Sequence, residues 1–173
     1  MILIALGSNL FSDAYGSPQD ICVAAVEALE KRGISITARS RWFRTAPVPV
    51  SDQPWFVNGV IAVETLLPPA ELLGLLHEVE SEFGRTRTVR NEARTLDLDL
   101  IAYNDRVGNE AGGPILPHPR LHERAFVLLP LADIDPQWRH PVSGVPIATL
   151  ISALPADQRA ELDGPGDGPG DGR

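Results

Sequence analysis

Apolar positions along the chain recur with two distinct periods. Residues 2–6 (ILIAL) form a continuous apolar run of the length of one buried strand. From Ser17 the period becomes helical. Ser17 suits an N-cap, Pro18 the first helical position and Asp20 the first turn. Cys22, Ala25, Val26 and Leu29 follow at helical spacing, and Gly33 supplies the stop. Residues 34–43 (ISITARSRWF) are rich in β-branched and aromatic side chains and predict a single strand. Residues 44–54, with three prolines and a polar cluster, predict a loop, and 56–65 (FVNGVIAVET) predict another strand. Pro68 and Pro69 open a second helix with Leu72, Leu75, Leu76, Val79 and Phe83 on one face, ending at Gly84; a strand at 96–103 follows.

The order β-α-β-β-α-β predicts an α+β, ferredoxin-like core, with helices on one face of the sheet and the other face free for ligands. A C-terminal extension follows. Residues 104–119 predict a hairpin or loop, 120–134 short helical turns and 146–154 a last helix. Residues 1–160 therefore read as one domain. The Gly/Pro/Asp-rich stretch 161–173 has too little to bury to offset its ordering entropy and is expected to be disordered.

Composition narrows the classes. A net charge of −8 argues against a nucleic-acid partner held on a broad basic face. Arginine is nevertheless clustered, with Arg85, Arg87, Arg90 and Arg94 in one group and Arg120 and Arg124 in another. Such groups suit a small anion such as a phosphate chain, which guanidinium binds bidentately. No apolar run approaches the ~18 residues of a membrane span. A lone Cys22 excludes an internal disulfide and any CxxC zinc site, in keeping with a cytoplasmic location. The expected state is a monomer.

The stretch RTLDLDLIAY (94–103) carries the chemistry. Strand alternation puts Asp97 and Asp99 on one face and Leu96, Leu98 and Leu100 on the other. Two carboxylates roughly 6.5–7 Å apart along a strand repel by about 2–3 kcal/mol at an effective dielectric near 20. Cations relieve that repulsion, and hard carboxylate oxygens favour Mg²⁺ or Mn²⁺. On spacing alone a solvated strand face competes evenly with nucleotide-dependent transfer.

Six blocks in order, ALGSNL, RTAPV, DQPWFVNGV, GRTR, RTLDLDLIAY and LPHPRLHERAFVLLPL, resemble the 6-hydroxymethyl-7,8-dihydropterin pyrophosphokinase family over residues 2–150. The resemblance implies transfer of the β,γ-pyrophosphoryl group of ATP to the pterin hydroxymethyl oxygen, leaving AMP. It implies that Asp97 and Asp99 hold two Mg²⁺ ions and that Arg85 and Arg94 neutralise the transferred group. Phe56 and Phe126 would sandwich the pterin. Asn58 would bond its polar edge, and Thr45 and Val48 would contact it through their backbone. His77, Glu80, Arg87, Arg94, Leu100, His118 and Arg124 match ATP-binding positions. Taken singly, Glu80 and His77 read as exposed helix residues, and Phe56 and Phe126 as core. The GSN at 7–9 reads as a glycine turn placing Asn9 near the pterin.

One segment departs from the family. Asn91-Glu92-Ala93 stands where Trp-Gly-Pro is common, which implies weaker closure with function retained; Asn91→Trp is then expected to raise kcat or lower a KM. Two other readings compete. A non-catalytic nucleotide- or pterin-binding homologue requires damage to the acid pair, which is intact. A ferredoxin-like RNA-binding module requires basic and aromatic residues on the open strands.

Overall fold

The computed structural model describes residues 1–84, 95–109 and 111–163. The elements are β1 (Ile2–Ser8), α1 (Pro18–Lys31), β2 (Ser35–Arg39), β3 (Phe43–Thr45), β4 (Phe56–Glu64), α2 (Pro69–Glu82) and β5 (Asp97–Tyr103). They continue with β6 (Gly108–Asn109), β7 (Ile115–Leu116), a 3-10 turn (Leu121–Glu123), α3 (Ala125–Ile134), α4 (Ile147–Ser152) and β8 (Ala160–Leu162). The main sheet runs β5-β1-β4-β3-β8, with β2 also on β4, and its neighbours pair antiparallel. This is the α+β, split βαβ arrangement, its second strand divided into β2 and β3.

The helix signals act as their chemistry requires. Ser17 Oγ accepts from the Asp20 N–H at 3.2 Å, and Asp20 Oδ2 accepts from the Ser17 N–H at 3.0 Å, closing a capping box. Gly33 and Gly84, both at φ +84°, follow the C-caps of α1 and α2 in the left-handed conformation that only glycine adopts without strain.

The strand expected over 34–43 is two strands with a break at residues 40–42. Side chains fill the break. Ser40 Oγ accepts from the Val60 N–H and donates to the Arg41 carbonyl. The Trp42 ring lies so close to Gly59 that a Cβ there would meet it at 2.6 Å. Arg41 bonds Asp133 on α3 through its backbone N–H and its guanidinium.

The sheet is covered on both faces, not on one. On the first face Ile4, Leu6, Leu98 and Leu100 pack with Ile21, Val26 and Leu29 of α1 and Leu72, Leu76 and Val79 of α2. On the second, which sequence periodicity left open, Leu3, Ala5, Val60 and Ala62 pack with Val127, Leu128 and Leu131 of α3 and Ile147 of α4. At the end of the sheet carrying Gly7, Asn58 and Asp97, the start of α3 stands off from the strands, and Arg124 and Phe126 close a cavity over them. The disordered tail expected from residue 161 also starts too early. Residues 160–162 form β8, which pairs with β3, and the Asp163 N–H donates to the Trp42 carbonyl at 2.9 Å.

Candidate active site

Three strands bring the site together at one end of the second face. Gly7 on β1 pairs with Asn58 on β4 and with Asp97 on β5, so these three residues form one row across the sheet. The next row sets Ala5 opposite Asp99. Both aspartates are half-buried, whereas Leu98 and Leu100 between and beyond them enter the core. Asp97 and Asp99 thus share a face.

A bulge in β5 seats the next residue. Leu3 pairs with Ala102 and Ile4 with Leu100, which leaves Ile101 as the extra residue. Its carbonyl accepts from the His118 N–H at 2.8 Å, so His118 is docked beside the acid strand. Burial, then the Arg124 and Arg120 charges, push the His118 pKa down to about 4. Its Nδ1 accepts from the Arg120 N–H at 3.2 Å, so the neutral ring carries its proton on Nε2 and is a donor there.

These residues line one cavity of about 290 Å³. Its walls include Thr45, Val48, Phe56, Asn58, Asp97, Asp99, His118, Arg124 and Phe126, each nominated from sequence. Asn58 is buried and donates through Nδ2 to Thr45 Oγ1 at 2.6 Å, which fixes its amide. Arg124 lies over the Phe126 ring, 5.3 Å from its centroid, with Nη1 3.7 Å from Asp99 Oδ2. A cation, two acids, a neutral imidazole donor, two aromatic rings and a fixed amide therefore converge on one opening.

Other nominated residues lie elsewhere. Glu80, read on helical position alone as an exposed charge, is 1% exposed. It accepts from the Leu98 N–H at 2.7 Å, so it caps the free edge of the end strand β5 between the two aspartates. Leu100 has its side chain in the core, which leaves only its main chain for a ligand. His77 is half-buried on α2 and is not part of the cavity wall. Arg85, Arg87, Arg90, Arg94 and the Asn91-Glu92-Ala93 departure lie outside the described residues.

Gly7 is not in a turn, as the GSN pattern had implied, but within β1, where its missing side chain admits the Asn58 amide. Asn9 is buried and donates to Gln53 Oε1 at 3.2 Å and to the Pro54 carbonyl at 3.1 Å. It therefore pins the proline loop, while Gln53 itself lines the cavity. The wall residues Gln53, Ser51 and Pro47 were not nominated, since nothing in a loop's composition says which side it turns inward. No helix of the described residues is long and apolar enough to cross a membrane.

Fold and site together define a class: a ferredoxin-like α+β protein with a cavity that sets two aromatic rings and a fixed amide beside two acids and a cation. The comparisons narrow this to one family. Residues 3–136 match the model of 7,8-dihydro-6-hydroxymethylpterin-pyrophosphokinase (HPPK). The chain is 42% identical over 135 residues to the 2-amino-4-hydroxy-6-hydroxymethyldihydropteridine pyrophosphokinase of Bacillus subtilis, covering 78% of this chain and 77% of that one. It is 37% identical to the Pseudomonas aeruginosa enzyme of the same name, covering 94% and 97%. It is also 38% identical to the folic acid synthesis protein fol1 of Pneumocystis carinii, but there spans 20% of the longer protein. Among solved structures, wild-type Plasmodium falciparum HPPK-DHPS superposes with a TM-score of 0.63 at 13% identity, covering 87% of this chain and 44% of that one, which shows the shared fold. The chain belongs to the 6-hydroxymethyl-7,8-dihydropterin pyrophosphokinase family, enzymes of pyrophosphoryl transfer in folate biosynthesis.

Proposed function

We propose that the cavity holds 6-hydroxymethyl-7,8-dihydropterin between Phe56 and Phe126 and directs its hydroxymethyl oxygen at the β-phosphorus of ATP, giving the pterin diphosphate and AMP. The observation that supports this reading is the row Asn58-Gly7-Asp97, which puts a fixed amide and a carboxylate in one cavity. Aromatic faces with a fixed amide at the rim suit a flat, polar-edged ring. Thr45 fixes which way the Asn58 amide faces, and Val48, at the cavity rim, adds backbone contacts.

Two carboxylates on one strand face suit Mg²⁺ in chemistry, and by family resemblance two ions would sit there. Asp97 and Asp99 offer hard oxygens from one strand face and would complete such sites together with phosphate oxygens. Bound there, Mg²⁺ supplies charge neutralisation on the polyphosphate and lowers the pKa of the attacking hydroxyl. The chain's own groups do the rest. Arg124 faces Asp99 and balances charge, and His118, whose Nδ1 accepts from the Arg120 N–H, would donate from Nε2 to a phosphate oxygen. Glu80 contributes through β5, by holding the peptide between the aspartates. Arg85, Arg87 and Arg94, with His77 and the Leu100 main chain, complete the ATP contacts by family resemblance. Positioning and electrostatics carry the rate, with no dedicated side-chain base.

Cys22 is buried and burial pushes its thiol up to about 12, so it takes no part in the chemistry. The test is incubation with ATP, Mg²⁺ and 6-hydroxymethyl-7,8-dihydropterin, scored for nucleotide product. AMP is expected, and ADP would reject the mechanism. Asp97→Ala and Asp99→Ala should each lower AMP formation by at least about a hundredfold with the circular dichroism spectrum unchanged.

A further inference from the structure

Residues 158–163 lie beyond the span matched by the family model, yet they touch both halves of the site. The Gln158 carboxamide bridges the two peptide groups that flank Arg124. Its Oε1 accepts from the Ala125 N–H at 2.8 Å, and its Nε2 donates to the Glu123 carbonyl at 2.6 Å. Arg124 between them is extended, at φ −117° and ψ 111°, where the 3-10 turn ends and α3 begins.

That position creates a conflict. The residue before a helix normally turns a short oxygen-bearing side chain back onto the first free N–H groups. Arg124 makes no such cap bond, and its guanidinium instead enters the cavity above Phe126 and beside Asp99. Gln158 resolves the conflict from 33 residues away, by accepting the Ala125 N–H. Gln158 is itself anchored, since Ala160 pairs with Thr45 and the Arg159 carbonyl accepts from the Ala46 N–H at 3.1 Å.

We propose that Gln158 is a positioning residue for Arg124: its amide fixes the extended backbone that aims the guanidinium at the ATP phosphates. This rests on reading Arg124 as an ATP contact, so the test carries Arg124→Ala alongside. In steady-state assays of AMP formation, Gln158→Ala should raise the KM for ATP about five- to tenfold, the scale of one or two lost hydrogen bonds, with the pterin KM within about twofold. Gln158→Glu keeps an acceptor for Ala125 but sets a carboxylate oxygen against the Glu123 carbonyl, and should raise the KM for ATP at least as much as Gln158→Ala. In the Arg124→Ala background, Gln158→Ala should add nothing further, because the two substitutions remove one interaction. A fall in thermal stability with the KM for ATP unmoved in either Gln158 variant would make Gln158 merely structural and overturn the proposal, as would full additivity in the double variant. An Arg124→Ala variant with unchanged KM for ATP would instead remove the reading of Arg124, and the proposal with it.

Discussion

Gly7 leaves room for the Asn58 amide. A Cβ at this position would lie 2.9 Å from Asn58 Oδ1, inside normal contact, and Asn58 is held by its bond to Thr45. Gly7→Ala is therefore expected to push the Asn58 amide off Thr45, raising the pterin KM about tenfold and costing about 1–3 kcal/mol in urea unfolding. His118 makes a second prediction at the same scale. Its folded pKa, about 4, lies below the ordinary 6.5 because burial and the neighbouring arginines oppose its charge. Between those values the unfolded chain binds more protons than the folded one, so His118 weakens the ligand-free fold as pH falls from 6.5 toward 4. Above 6.5 it has no such effect. His118→Gln should narrow the difference in Tm between pH 7 and about pH 4.5, measured without ligand.

β5 shows how an element is built for a task. Its alternation of Leu and Asp was legible in sequence, because a period of two needs no tertiary information. Its support was not. The strand closes one end of the sheet, and the Leu98 N–H on its outer side would be unmet without Glu80. Helical position gave Glu80 to solvent, since periodicity cannot show that another strand's edge lies against that side of α2. Glu80→Ala is expected to destabilise by about 1–3 kcal/mol, the cost of a buried unmatched donor. Glu80→Gln, which keeps an acceptor there, should lose less, and the two midpoints in urea would rank them. The break between β2 and β3 was hidden for a related reason. ISITARSRWF has strand propensity throughout, and it is divided by contacts of Ser40 with Val60, Trp42 with Gly59 and Arg41 with Asp133.

At the scale of the whole molecule, the C-terminal segment divides into two parts. Residues 160–162 belong to the sheet, and Gln158 bridges to the start of α3. Residues 164–173 contain only Gly, Pro, Asp and one Arg, a composition with no apolar area to bury. Deleting 164–173 should leave Tm within about 1 °C and both KM values unchanged, whereas deletion from Gln158 onward, taking β8 with it, should lower Tm by several degrees. Calorimetry on the two truncated chains distinguishes these outcomes.

The sequence by itself determined the main helices and strands, their βαββαβ order, the facing of Asp97 and Asp99 and part of the pocket wall, though not the loop residues Pro47, Ser51 and Gln53. Each depends on local periodicity, capping chemistry or blocks of motif. Tertiary structure alone decided what covers the second face of the sheet, how the bulge at Ile101 docks His118, and why Glu80 and Gln158 matter. Those features are hydrogen bonds and packing between residues far apart in the chain, and no local pattern records which distant groups the fold will bring into contact.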